Sequence, residues 1–297
     1  MSGFVSLLPF AFCTFVLFQD PGTRQIMAEE FVKSRPGRSS ASSASGKRTT
    51  YRPASARPAK SSRPGSSDQM QLGLTVWRLR PSSTRDVGAR IIVHHDNETD
   101  EWTPERVEST TALRMGERVR FSFESPQTGY LYVIDREQYA DGSKGEPSLI
   151  FPTTRTREGN NKVAPGQLVE IPGQEDRPNY FTLRQSRPDQ TGELLTVIVT
   201  PQPIEGISIG NKPLPLSNEQ VAQWEKLWGA VTEKFEMTGG AGKTWTKAEQ
   251  EAGASATRQL TQDDPGPQTI YRVAVKPGSP LLVNVGLRYG RSRKAGR

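Results

Sequence analysis

The chain of 297 residues carries a formal net charge of +7, and only 33% of its residues are hydrophobic. This composition excludes a polytopic membrane protein, a collagen and a coiled coil. Together with the 27 glycines and 23 prolines, it predicts one large or two small domains plus a substantial unstructured part.

The N-terminus begins with an uncharged, mostly apolar run from Phe4 to Phe18, interrupted by Pro9. The run is too short for a membrane-spanning helix, and its length is typical of the apolar core of a signal peptide. However, no basic residue precedes it and no small-residue cleavage site follows it. Residues 1–19 are interpreted as a signal-like or anchor segment: a signal truncated by a wrong start codon, or an uncleaved anchor. A buried element of the fold is the plainest alternative.

Residues 20–69 are predicted to form a disordered linker. Ser, Ala, Arg and Pro dominate residues 34–67, and a stretch of this kind cannot bury enough surface to offset the entropy lost on ordering. The linker would hold a folded head away from a membrane-proximal anchor, or would serve solubility alone. With no acidic residue in 34–67, its cations are candidates for non-specific contact with a polyanion: Arg35, Arg38, Lys47, Arg48, Arg52, Arg57, Lys60 and Arg63.

The positive charge is concentrated in two segments. Residues 34–67 carry a net +8, residues 288–297 a net +5 and residues 1–33 a net −1, which leaves residues 68–287 with a net −5. A nucleic-acid-binding domain normally has a basic folded surface, so we expect no sequence-specific nucleic-acid partner. Non-specific attraction of the basic tails to an anionic surface remains an alternative.

Residues 70–216 show a β pattern. Leu72, Leu74 and Val76 alternate with smaller or polar residues, and residues 118–124 alternate apolar with polar side chains, which predicts a strand with one wet face. Residues 130–134 are apolar on both faces and predict a central strand. Short strands separated by Pro- and Gly-containing loops favour a mainly β fold, an antiparallel β-sandwich of immunoglobulin-like or related topology.

The C-terminal half contains one predicted amphipathic helix, over residues 217–238. Ser217 and Gln220 have the spacing of a capping box, and apolar residues follow at helical spacing up to Phe235. Residues 239–268 are interpreted as a Gly-rich polar connector and residues 269–288 as a β-hairpin that packs on the sandwich. Residues 289–297 form a basic tail.

The motifs that carry chemistry are weak. Gly242-Lys243-Thr244 resembles the end of a phosphate-binding loop but has Met237 where the motif needs glycine. His94 and His95 are the only histidines, and as neighbours on a strand they point to opposite faces. Two acids distant in sequence could converge as a hydrolytic pair, but nothing selects them. The sequence therefore predicts no catalytic, cofactor-binding or metal-binding residues and requires no cofactor.

One stretch carries a more specific signal. Residues 129–135 (GYLYVID) are followed by Leu149-Ile150-Phe151-Pro152, Asn160-Asn161-Lys162-Val163, Pro165-Gly166, Ile171-Pro172, Phe181 and residues 193–199 (ELLTVIV). This order resembles the bacterial family catalogued as domain of unknown function 4384, over about residues 116–203. The resemblance implies a small β-rich, non-catalytic module, often found beside other domains in envelope or signalling proteins. It transfers no catalytic residue.

These observations favour a non-enzymatic, exported or membrane-tethered β-sandwich module of the cell envelope or periplasm, which binds a protein partner or an envelope polymer. One alternative is an envelope hydrolase that uses convergent carboxylates. Another is a cytosolic protein whose basic tails bind a polyanion.

Overall fold

The computed structural model describes residues 29–37, 50–54, 69–95 and 98–290, and only the backbone of residues 94, 95, 98 and 99. Two antiparallel sheets pack face to face in this part of the chain, which confirms the predicted β-sandwich. The first sheet consists of β1 (Tyr51–Pro53), β2 (Met70–Pro81), β3 (Ile91–His95), β4 (Glu98–Val107), β5 (Arg118–Glu124), β9 (Leu168–Ile171), β10 (Phe181–Thr182), β13 (Thr232–Met237) and β14 (Thr269–Val273). The second consists of β6 (Gly129–Tyr139), β7 (Ser148–Phe151), β8 (Lys162–Val163), β11 (Gln190–Thr200), β12 (Leu214–Pro215) and β15 (Leu281–Arg288).

The long strand β2 organises the first sheet. Its first half pairs with β14 and its second half with β4, while β5 pairs along its opposite edge. In the second sheet β6 and β11 pair at the centre, and β15 pairs with the other edge of β11. The inward side chains of both sheets form the main core, because residues two apart on a strand share a face: among them Leu72, Leu74, Val76, Phe121, Phe123, Leu131, Val133, Leu195, Val197, Val283 and Val285.

The outer face of the second sheet is covered by helix α2 (Asn218–Trp228). The Ser217 side chain accepts a hydrogen bond from the backbone N–H of Gln220, so the predicted helix start is confirmed. Val221 and Trp224 pack on apolar side chains of the sheet. The predicted helix end at residue 238 is wrong: the helix stops before Gly229, and the following residues 232–237 form β13.

The outer face of the first sheet is covered by helix α3 (Lys247–Ala254) and by residues 29–37, of which 29–33 are helical (α1). The predicted wet face of β5 is therefore wrong, since Arg120, Ser122 and Glu124 are all buried. The covered charges form three buried ion pairs: Arg35–Glu124, Arg106–Glu249 and Arg120–Glu170. We call these three pairs the buried ion-pair face.

Residues 29–37 and 50–54 belong to the fold, which corrects the linker predicted for residues 20–69. Phe31 is fully buried, and a Cβ on Gly73 would lie 2.7 Å from its ring, so the close approach requires glycine. The Arg35 guanidinium binds both oxygens of Glu124, at 2.7 and 2.8 Å. Residues 51–53 pair with β13 as strand β1. The basic stretches 38–49 and 55–68 thus follow residues already attached to the body, and the chain does not form one continuous spacer between residue 28 and the sandwich.

Two further boundaries are corrected. The predicted hairpin over residues 269–288 is wrong, because β14 pairs within the first sheet and β15 within the second. The predicted connector 239–268 contains α3, whose start is a capping box between Thr246 and Glu249. The sandwich therefore extends beyond residue 216 and includes β13, β14 and β15.

The predictions for residues 1–19, and for most of the basic stretches, fall on residues 1–28, 38–49, 55–68 and 291–297, which lie outside the described part of the chain. Among the helices that the structure describes, none is long and apolar enough to cross a membrane.

Candidate functional site

A polar pocket of about 520 Å³ lies at the end of the second sheet. There β6 runs beyond its last pairing with β7, and the chain returns alongside it through residues 141–146. The pocket is lined by Asp135, Arg136, Glu137, Tyr139, Lys144, Gly145, Glu146, Ser148 and Arg187.

The strand register brings three carboxylates together at this end. Asp135 and Glu137 continue the inward face of Leu131 and Val133 along β6, because side chains alternate between the two faces. Glu193 on β11 lies directly opposite Glu137. Asp135 and Glu193 are thus diagonal neighbours, about 7–8 Å apart at Cα in ordinary antiparallel geometry. We call Asp135, Glu137 and Glu193 the acidic cluster.

Two of these carboxylates receive hydrogen bonds that offset their mutual repulsion. The Tyr139 hydroxyl donates to Glu137 Oε2. Glu193 Oε1 accepts from the Tyr289 hydroxyl and, at 2.8 Å, from Gln190 Nε2. The bond to Glu137 raises the pKa of Tyr139, because it stabilises the protonated phenol. Like charges directly opposite each other destabilise a sheet, and the hydroxyl donors lessen that cost here.

Asp135 has weaker support, a hydrogen bond from the backbone N–H of Arg136. Its Oδ1 is buried and has no hydrogen-bond partner among the described residues, and the same is true of Oε2 of Glu193. Burial, with the nearby charges of Glu193 and Glu137, raises the pKa of Asp135 to about 8. Burial also raises the pKa of Glu193. Asp135 is therefore mostly protonated at neutral pH and can donate a hydrogen bond.

The cationic side chains that line the pocket interact with other groups. Arg136 lies on the opposite face of β6 and pairs with Glu225 of α2, and Lys144 lies 3.8 Å from the same carboxylate. Arg187 pairs with Asp189 at 2.8 Å, and its guanidinium lies over the Tyr139 ring. None of these three side chains accounts for the Asp135 pKa, which burial and the charges of Glu193 and Glu137 raise and a hydrogen bond from the Arg136 backbone lowers.

Gly145 allows the returning chain to pass close to the acidic cluster. A Cβ at this position would lie 2.7 Å from Glu137 Oε2, which is too close, so the Glu137 side chain would have to shift. A larger residue here would therefore crowd the Glu137 carboxylate and the Tyr139 hydroxyl.

The predicted polyanion contacts are not assembled here. The prediction is wrong for Arg35, which is 2% exposed and bound to Glu124. Arg52 is exposed and pairs with Glu108 at 2.7 Å. The other six candidates, Arg38, Lys47, Arg48, Arg57, Lys60 and Arg63, lie outside the described residues.

The weak motifs form no site in the described part of the chain. His94 and His95 end strand β3. Gly242-Lys243-Thr244 lies between β13 and α3, so it follows a strand and not the predicted helix. It does not lead directly into a helix, as a phosphate-binding loop does, because α3 starts only at Lys247. Among the described residues, no group of three or more His, Cys, Asp or Glu side chains is arranged to hold a metal ion.

The sequence did not single out the acidic cluster. The predicted central strand covers residues 130–134, whereas β6 continues through Asp135 to Tyr139. The alternation that starts at Leu131 and Val133 does extend to Asp135 and Glu137, and it is the signal that could have located these two. Only the pairing of β6 with β11 adds Glu193.

Comparison with known families places this site in a recognised segment. Residues 112–203 match the model of a family described as a domain of unknown function (DUF4384), which confirms the predicted resemblance. The segment contains β5 to β11, with every pocket-lining residue and Glu193. Neither the curated proteins nor the solved structures gave a match to the chain.

Proposed function

We propose that the protein is a non-enzymatic β-sandwich module, exported or tethered at a membrane, that binds a protein partner or a polymer of the cell envelope. The polar pocket at the end of the second sheet carries this proposal. Its volume of about 520 Å³ is within the range of specific ligand pockets, roughly 300–1,000 Å³. Beside it, two buried carboxylate oxygens lack partners in the described part of the chain. Such groups cost free energy, which a ligand that completes their hydrogen bonds would recover.

The location is proposed from the sequence. Only residues 19–28 separate the apolar run of residues 4–18 from the docked segment 29–37. An anchor at the run would therefore hold the sandwich close to the membrane, within about 35 Å even if those ten residues were fully extended.

Fractionation of cells tests the location, and cosedimentation with isolated envelope polymer or candidate partners tests binding. We expect full-length protein in the envelope fraction and binding that weakens in D135N. Protein found only in the cytosol would exclude the envelope assignment, and binding unchanged in D135N would exclude the pocket.

A hydrolase is the second candidate, because the pKa of Asp135 is raised to about 8 while Glu137 lies two residues along the same pocket. A protonated carboxyl beside a carboxylate is the arrangement that glycoside hydrolysis needs. Release of reducing ends from an envelope polysaccharide, abolished in both D135N and E137Q, would support it. No release by the wild-type protein would reject it for that polysaccharide.

A further inference from the structure

We propose that the acidic cluster binds an organic cation, a protonated amine or a guanidinium group, which enters the polar pocket at Asp135. From there it reaches Glu193, the diagonal neighbour of Asp135 on β11, which is not itself a lining residue of the pocket. This inference rests on the proposed binding function and specifies its ligand chemistry. It stands on the geometry of the cluster, on the cavity beside it, and on two buried acceptor atoms without partners.

The negative charge of the acidic cluster is not balanced by the groups that contact it. Asp135, Glu137 and Glu193 occupy one face of two paired strands, and they accept hydrogen bonds from the hydroxyls of Tyr139 and Tyr289, the amide of Gln190 and the backbone N–H of Arg136. These groups donate hydrogen bonds without supplying positive charge. A bound cation would provide the missing charge and would favour ionised carboxylates.

The protein's own cations at the pocket leave that position open. Arg136 and Lys144 lie near Glu225, on the side of α2, and Arg187 is held by Asp189 and the Tyr139 ring. Glu146, which also lines the pocket, accepts from Asn218 at 3.0 Å. A cationic ligand therefore competes with no internal ion pair at Asp135 or Glu193.

The donor geometry of the ligand follows from the two free acceptors. Asp135 and Glu193 are diagonal neighbours, so a group that contacts both needs several donors in different directions. An ammonium has three donors and a guanidinium has five. A metal ion fits less well, because no described group of three His, Cys, Asp or Glu side chains is arranged to coordinate one.

Binding is expected to release a proton. The pKa of Asp135 is about 8 in the free protein, and a neighbouring cation lowers the pKa of a carboxyl. Affinity should therefore increase as pH rises from 6.5 to 8, by up to tenfold per unit for one released proton. The other titratable and charged groups around the ligand are those of the cluster and its donors, Glu137, Glu193, Tyr139 and Tyr289, and those of the pocket lining, Arg136, Lys144, Glu146 and Arg187.

Titration calorimetry of the full chain tests the inference with two probes, 1,5-diaminopentane and an oligolysine peptide, and with an oligoglutamate peptide as the oppositely charged control. Runs at pH 6.5, 7.5 and 8.5 in two buffers of different ionisation enthalpy count the protons released. We expect at least one cationic probe to bind, with proton release and higher affinity at higher pH. Binding by both probes indicates that a free amine suffices, and binding by the peptide alone indicates a polypeptide side chain.

The variants D135N and E193Q should each weaken binding at least about tenfold, as loss of a charged contact predicts. E108Q removes one negative charge at the exposed Arg52–Glu108 pair, outside the pocket, and should leave affinity unchanged. Circular dichroism melts verify that each variant is folded.

Absence of cation binding, or binding that persists in the double variant D135N/E193Q, would overturn the inference. If wild type but not D135N still binds an envelope polymer or a protein, the proposed function stands and only the ligand chemistry is wrong.

Discussion

The two groups of buried or partly buried carboxylates differ in their partners. On the buried ion-pair face, Glu124, Glu170 and Glu249 each contact an arginine that is itself buried. In the acidic cluster, three carboxylates share two tyrosine hydroxyls, one glutamine amide and one backbone N–H. The first arrangement pairs every carboxylate with an arginine, although Glu170 Oε1 has no further partner in the described part of the chain. The second leaves Asp135 Oδ1 and Glu193 Oε2 without partners among the described residues, and it lies beside a cavity, where the pKa of Asp135 is raised to about 8.

This difference in partners predicts different roles: the buried ion pairs stabilise the fold, and the acidic cluster serves binding. The Arg35–Glu124 and Arg106–Glu249 pairs attach residues 29–37 and α3, which are distant in sequence, to β5 and β4. The Arg120–Glu170 pair joins β5 to its neighbour β9, and either charge would be buried alone without the other. Their removal should therefore affect folding. The acidic cluster joins strands that are already paired, so its charges are not needed to hold them together. Its removal should affect pH dependence and binding instead.

The largest effect is expected for E170A. The substitution leaves Arg120 buried without its carboxylate, and breaking a buried pair in this way costs about 3–5 kcal/mol of unfolding free energy. Urea denaturation followed by tryptophan fluorescence measures it. The double variant R120M/E170L, which replaces both charges with apolar groups, should recover most of the loss. A loss below about 1 kcal/mol in E170A would contradict the assigned role.

A smaller effect is expected at Asp135, as a function of pH. An unfolded Asp ionises near pH 4, whereas the folded group keeps its proton up to a pKa of about 8. The folded state binds more protons in between, so stability contributed by this group is present below pH 4 and is lost as pH rises through 8. One proton sets a limit of about 1.4 kcal/mol per pH unit.

Urea unfolding of wild type and D135N at pH 5, 6.5 and 8 measures this difference. We expect wild type to lose about 2 kcal/mol relative to D135N between pH 5 and pH 8, part of the one-proton limit. Parallel curves for the two proteins would show that Asp135 titrates normally.

A loss of about 1 kcal/mol is expected for T246A. Thr246 caps α3 by accepting from the Glu249 backbone, and the Glu249 side chain, which pairs with Arg106, bonds back to Thr246. Removal of a capping side chain typically costs about this much. T246S retains the hydroxyl and should stay within about 0.5 kcal/mol of wild type, so equal melting of T246A and T246S would rule out the capping contribution.

The smallest effect is expected for E108A, which breaks an ion pair in which the Arg52 side chain is 55% exposed. Exposed pairs contribute roughly 0–1 kcal/mol, and we expect less than 0.5 kcal/mol in the same urea experiment. A loss of unfolding free energy as large as that of E170A would mean that the exposure of an ion pair does not determine its contribution to stability.

The sandwich could be predicted because its strands carry their own signals. Val119, Phe121 and Phe123 alternate with polar residues, and Tyr130 to Ile134 form an apolar run, so strand positions follow from local sequence. The same kind of local pattern predicts a long helix that includes Val231 and Phe235. The spacing is helical, but Gly229 ends α2, and Phe235 packs from a strand with Tyr51 and Ile270.

Features that depend on distant partners could not be predicted. Arg35 lies in a Ser- and Pro-rich stretch whose composition indicates disorder, and it is ordered by a carboxylate 89 positions away. Arg120 and Glu124 follow the polar period of a surface strand, yet α3 and residues 29–37 cover them. The turn residues 276–279 predict a hairpin, but a turn signal does not specify whether the flanking strands remain in one sheet.

The docking of residues 29–37 also determines how the molecule would carry load. A pull on residues 1–28 would reach the body at Phe31 and Arg35, before it reached β1 or β2. The bidentate Arg35–Glu124 contact and three backbone carbonyls from residues 261–265 hold this point. Force would therefore enter the sandwich through the outer face of the first sheet, leaving the pocket at the end of the second sheet outside its direct path.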